Sequence, residues 1–245
     1  MYNVRMANRA YVGAWAQGYP EETQLAQFGR LLETVPVSPT SRGFTFVVVR
    51  AVNSSETPVR EWDLRSRALN AAGVMELLGE HSGPDMAYEV RALWDLRTYD
   101  AGSGHWRLDP QELEIISHGP EYDEGISAEQ GHFLIDIGFE HLFTGHAGLL
   151  GNRVNGSTAA AEAPVNALGQ NASQEALHEE EARFLRAMAS PDRLREYHER
   201  TRENIQILFR WLQEAEAAVP LERYRLWSEG EENFEARLDE ILAVR

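Results

Sequence analysis

The chain is expected to fold as an α+β protein: a mostly antiparallel sheet carrying helices, followed by a C-terminal helical segment. Three observations predict this. Before Gly151, stretches of alternating or β-branched apolar character interleave with stretches whose apolar residues recur at helical spacing. From Gly151 to Gln174 the composition turns to Gly, Ala, Asn and Ser with no large aromatic residue, as in a flexible connector. Beyond it, the apolar stripes read as helical. The expected organisation is a sheet domain over 1–150, a linker over 151–174 and a helical segment over 175–245.

Each element has its own signal. "MANRAYVGAW" reads as a strand. In "PEETQLAQFGRLLETV", Leu25, Phe28 and Leu32 share a helical face behind Pro20. "GFTFVVVRAV" is nearly continuous in its apolar character, as in a central strand covered on both faces. "NSSETP" breaks the chain and "VREWDLR" resumes it as a strand. "SRALNAAGVMELLGEH" is a short amphipathic helix. In "AYEVRALWDLRTYD", Tyr88, Val90, Ala92, Trp94 and Leu96 alternate with Glu89, Arg91, Leu93, Asp95 and Arg97, as in a strand with one wetter face.

The order β-α-β-β-α-β resembles a ferredoxin-like split arrangement. Two or three further strands extend it: "HWRLD" behind a hairpin loop, "ELEIISHG", and "HFLIDIGFEHLF". The tetrapeptide "WDLR" occurs at Trp62–Arg65 and Trp94–Arg97 without repetition of its surroundings. It reads as strand pattern, aromatic in and charge out, with a cross-strand Asp and Arg pairing as one use of the charges. In the tail, Leu177, Phe184, Leu185 and Met188 form one stripe. A long helix then opens at "SPD" and ends before Pro220, and Ser228 with Glu231 precedes Phe234, Leu238 and Ile241. These helices are expected to pack on the sheet or on a second copy.

Composition bounds the chemistry. There is no cysteine, which excludes disulfides, thiolate metal sites and cysteine nucleophiles. All 23 basic residues are arginine. Without lysine there is no Schiff-base or Walker-type phosphate chemistry; arginine-favouring codon usage and selection against amines are the two explanations. No apolar run is long enough to span a bilayer and no secretory signal opens the chain, so a cytoplasmic location is expected. The net charge of −16 disfavours nucleic acid and anionic membrane, and favours a basic partner.

The most informative local feature is a tract from Leu108 to Asn152 that contains no arginine. It carries nine carboxylates, with His118, His132, His141 and His146 among them. On its last strand, His132, Asp136 and Glu140 share a face opposite Phe133, Ile135, Ile137 and Phe139. One reading gathers His118, Asp123, His132, Asp136 and Glu140 around a divalent metal with an activated water, as in a metal-dependent hydrolase. A second makes them the wet face of a one-sided sheet. A third pairs the carboxylates with arginines, including the eleven of the tail. The function expected on this basis is a non-catalytic, cofactor-free acidic interaction or assembly module. It would self-associate and bind a basic partner through Glu121, Asp123 and Glu124, with Trp211 and Trp227 as anchors. The metal-dependent hydrolase is the alternative.

Overall fold

The computed structural model describes residues 8–19, 21–100, 103–144 and 189–243. The expected linker, the tail stripe of Leu177 to Met188, Pro20 and His146 lie outside the described residues. The elements in chain order are β1 (Arg9–Ala16), α1 (Glu21–Glu33), β2 (Phe44–Ala51), β3 (Arg60–Asp63), α2 (Ala71–Leu78), β4 (Met86–Asp100) and β5 (His105–His118). A 3-10 turn (Tyr122–Gly125) leads to α3 (Ser127–Gln130), β6 (Phe133–Phe139), α4 (His141–Thr144), α5 (Pro191–Ala218), β7 (Leu221–Ser228) and α6 (Phe234–Ala243).

The protein is α+β. Seven strands form one antiparallel sheet in the order β3-β2-β4-β5-β6-β1-β7. The chain order β-α-β-β-α-β is present, and three strands extend it. One of the three, β7, comes from the segment read as wholly helical. It pairs with β1 from Ala10↔Ser228 to Ala16↔Leu221, because Leu221, Arg223, Arg225 and Trp227 alternate with Glu222, Tyr224 and Leu226 in a strand period. The two WDLR copies lie in one sheet with β2 between them, so their charges do not meet. Asp63 pairs locally with Arg65, and Arg97 pairs with Glu203 of α5.

"HWRLD" and "ELEIISHG" form a single strand, β5, that runs through Pro110. Proline lacks an N–H and is tolerated where a strand has only one neighbour. Here β5 pairs with β4 along its whole length but with β6 only from Glu114 to Ser117, leaving the other edge of Pro110 open.

One face of the sheet carries the helices. Phe28, Leu31 and Leu32 of α1, Val74 and Leu78 of α2, Phe143 of α4, Ile205, Leu208 and Trp211 of α5, and Phe234 and Leu238 of α6 join Val12, Val47, Val90, Trp94, Ile115 and Ile135 in one core. The described helices of the tail, α5 and α6, thus pack on the sheet, which is one of the two expected arrangements. Trp211 is 1% exposed, edge-on to Trp94 at 5.9 Å, and its indole N–H donates to Thr34 Oγ1 at 3.1 Å. It is a core residue and not the interface anchor expected, because the helical stripe that carries it faces the sheet.

The attachment of α5 uses a side-chain amide as a substitute strand. β2 pairs with β4 only as far as Ala92, so the rest of that β4 edge needs other partners. Ser38 N–H donates to Leu93 O at 2.6 Å. Beyond it, Asn204 Oδ1 accepts from Arg97 N at 2.7 Å, and Asn204 Nδ2 donates to Arg97 O at 3.0 Å and to Leu142 O at 2.9 Å. Asn204 is 1% exposed. Asn204→Leu is expected to strip hydrogen bonds from three backbone groups and to lower the unfolding free energy by about 2–4 kcal/mol. Urea denaturation measures this, and a loss below about 0.5 kcal/mol would show the amide to be dispensable.

Candidate functional site

Among its described residues the arginine-free tract is sheet, loop and short helix, and its carboxylates are dispersed: Glu114 and Asp136 on the middle of the sheet, Asp109 and Glu112 further along β5, and Glu121, Asp123 and Glu124 on the turn that follows β5. On the sheet face away from the core cluster, Glu114 of β5 and Asp136 of β6 stand directly opposite each other. Two like charges in that position repel, and arginines bracket them. Arg91 of β4 reaches Glu114 at 2.6 Å, and Arg9 of β1 pairs with Asp136. Arg50 and Glu89 continue the ladder onto β2 at 2.5 Å. The guanidiniums therefore come from neighbouring strands and not from the tail. Burial raises the Asp136 carboxyl above its ordinary value, with Arg9 acting in the opposite direction.

Glu140 does not share that face. Asp136 pairs with Tyr11 and Gly138 with Ala10, so Ile137 is an extra residue in the ladder, and Gly138 takes φ 100°. The bulge reverses the alternation beyond it. Phe139 turns outward, 37% exposed, beneath the guanidinium of Arg9, while Glu140 turns inward, 3% exposed, and accepts from Gly230 N at 3.0 Å. The expected common face of His132, Asp136 and Glu140, and the expected core position of Phe139, are both corrected by this one residue.

His118 and His132 lie near the other end of β6, and each uses its Nδ1 on backbone. His118 Nδ1 donates to Gly131 O at 3.0 Å and its ring stacks on Tyr122. His132 Nδ1 accepts from Ala16 N at 3.0 Å and its ring lies 4.1 Å from that of Tyr19 at 8°. Burial lowers both imidazoles below their ordinary value and favours the neutral rings. Asp123 accepts from Ser54 Oγ on a separate loop. Among the described residues no three His, Asp or Glu side chains are placed to hold a metal ion. The geometry lends no support to a hydrolytic metal centre.

Glu121, Asp123 and Glu124 gather at a corner built from three loops. Val52 N donates to Asp85 O at 2.9 Å, and Val52 O accepts from Asp123 N at 2.7 Å. Glu121 N donates to Pro84 O at 2.8 Å. Tyr122, 3% exposed, plugs the corner from within. Three residues here have positive φ without being glycine: Val52 at 69°, Asp123 at 47° and Glu124 at 57°. A β-branched residue in that region is an outlier, and such conformations cost about 1–3 kcal/mol each and concentrate at functional sites. Glu121 and Glu124 are exposed, and Val52 is 54% exposed.

Trp227 is partly buried on the outer face of β7, stacked on Tyr11 at 5.6 Å with Arg225 over it. Searched against protein families, curated proteins and solved structures, the chain finds no match. No helix among the described residues is long and apolar enough to cross a membrane.

The bracketing of Glu114 and Asp136 yields a signed prediction. Arg9→Gln leaves Asp136 half-buried beside another carboxylate and is expected to cost about 1–3 kcal/mol at pH 7. The folded-state carboxyl, already raised, rises further, so the folded form takes up the proton first. The loss should shrink as pH falls toward 4, measured as the difference in denaturation midpoint from the parent chain. A loss that grows on acidification would contradict it.

Proposed function

We propose that this chain is a non-catalytic interaction module that receives a basic segment of a partner at the corner of Val52, Glu121, Asp123 and Glu124. The observation that carries the reading is the coincidence of backbone strain with exposed charge. Fold economy alone would place glycine at Asp123 and Glu124, as it does at Gly125, where φ is 83°. Carboxylates stand there instead, around an exposed valine. Guanidinium or ammonium groups would meet Glu121 and Glu124, and the aliphatic stem of such a side chain would cover Val52. The net charge of −16 would steer such a partner over distances beyond contact.

Self-association is the second part of the proposal. The outer sheet face, with Phe46, Leu93, Ile116 and Leu134 partly buried between the ion pairs, offers a surface to a second copy. Sedimentation velocity across a concentration series would detect it.

The corner is tested with a labelled nona-arginine peptide against the full chain. Binding is expected to weaken several-fold from about 0.02 to 0.15 M salt and to be lost in Glu121→Gln, Asp123→Asn, Glu124→Gln combined. Glu124→Gly should weaken peptide binding while raising stability by about 0.5–1 kcal/mol. Equal binding by the triple variant would sink the proposal.

A further inference from the structure

A cavity lies at the opposite end of β4, β5 and β6 from the acidic corner. It opens where β5 parts from β6. The two strands pair only between Glu114–Ser117 and Phe133–Asp136, and beyond that β5 follows β4 out to the hairpin while β6 ends at α4. Side chains of the described residues do not fill the gap. It leaves a space of about 300 Å³ among residues that include Tyr99, Trp106, Phe139, His141 and Tyr197.

Its walls are two aromatic series. Trp106 lies 5.4 Å from Tyr99 and 5.1 Å from Tyr197, with ring planes inclined by 57° and 56°. On the other side His141 stacks on Phe139 at 5.7 Å and 20°. Among the described residues the ring nitrogens of His141 and the indole N–H of Trp106 have no hydrogen-bond partner. Burial pushes the His141 imidazole down to about 4. At neutral pH it therefore presents one acceptor and one donor and no charge.

Three other polar side chains of the lining are engaged. Arg97 pairs with Glu203 at 2.7 Å, Thr98 donates to Asp109, and Asn204 holds the backbone of β4 and α4. Among the described residues no carboxylate lines the space, and the guanidinium of Arg97 is neutralised by Glu203. A charged ligand would lose its hydration without gaining a counter-charge. A flat uncharged ring would stack between the walls and return the hydrogen bonds that His141 and Trp106 lack.

We infer that the cleft between the parted ends of β5 and β6 is a binding site for an uncharged planar heteroaromatic compound, held between Trp106 and Phe139 and hydrogen-bonded to His141.

Amide NMR titration of the full chain, with indole, indene, tetramethylammonium and benzoate as probes, tests this. Indole and indene share a shape, and only indole carries an N–H. Indole should give saturable shifts confined to residues 96–108, 139–142 and 197–204, and should bind more tightly than indene. Trp106→Ala should weaken indole by about tenfold. His141→Phe keeps the ring stack and removes the acceptor. It should weaken indole by about three- to tenfold and leave indene unchanged. Thermal melts of each variant separate loss of the site from loss of the fold. Three results would each overturn the inference: no saturable shift with indole in the parent chain, tighter binding of tetramethylammonium or benzoate than of indole, or equal effects of His141→Phe on indole and indene.

Discussion

The side chain of Asn204 is the constraint on which the arrangement of layers depends. A strand edge that outruns its neighbour must find donors and acceptors elsewhere or leave them buried and unpaired. β4 outruns β2, and one amide supplies both a donor and an acceptor to Arg97 while a second donor reaches Leu142. The position and rotation of α5 follow from those bonds. So does the placement of Tyr197 and Thr201, one to two turns earlier on the same helix face, against the projecting hairpin. Trp211, two turns later, is brought onto Trp94. A residue of modest helix propensity sits mid-helix because its side chain has a better use than water.

The charges of the sheet obey a related economy. Opposed carboxylates on adjacent strands would destabilise the sheet, and each is met by a guanidinium from the strand beyond it. Arginine suits this role because its planar donors reach across a strand and its stem covers apolar neighbours, as Arg91 covers Phe46 at 5.2 Å. A chain whose cations are all arginine can build this ladder without bringing cations from its tail. Three of the acids left outside the ladder, Glu121, Asp123 and Glu124, collect where the backbone is contorted, at the positive φ of Val52, Asp123 and Glu124.

Local pattern revealed much of the fold and little of the sites. β1, α1, β2 and β4 were legible because each carries a strong period of its own. β7 was missed although Leu221, Arg223, Arg225 and Trp227 alternate, since a charge-rich strand between two helices resembles a linker until its partner is known. The segments HWRLD and ELEIISHG, read as two strands, are one, because the open edge of β5 tolerates Pro110 between them. Gly138 was the available sign of the bulge, a glycine inside an apolar strand, and missing it misplaced Phe139 and Glu140 together. His118 and His132 stand out in the sequence, but their use of Nδ1 on the backbone depends on Gly131 and Ala16, which only the register supplies. The aromatic cleft had no signature at all, because Tyr99, Trp106, Phe139 and Tyr197 are scattered over four elements.

The pairing of β1 with β7 has a kinetic implication. β1 leaves the ribosome well before β7, yet the two are hydrogen-bonded from Ala10↔Ser228 to Ala16↔Leu221. Until Ser228 emerges, one edge of β1 stays unsatisfied, an open template for any other nascent strand. Contacts so distant in sequence also form slowly. The edge of β1 is thus covered only once β7 has been made, and the open edge passes to β7, whose Glu222, Arg223 and Arg225 make it a poorer template for another strand.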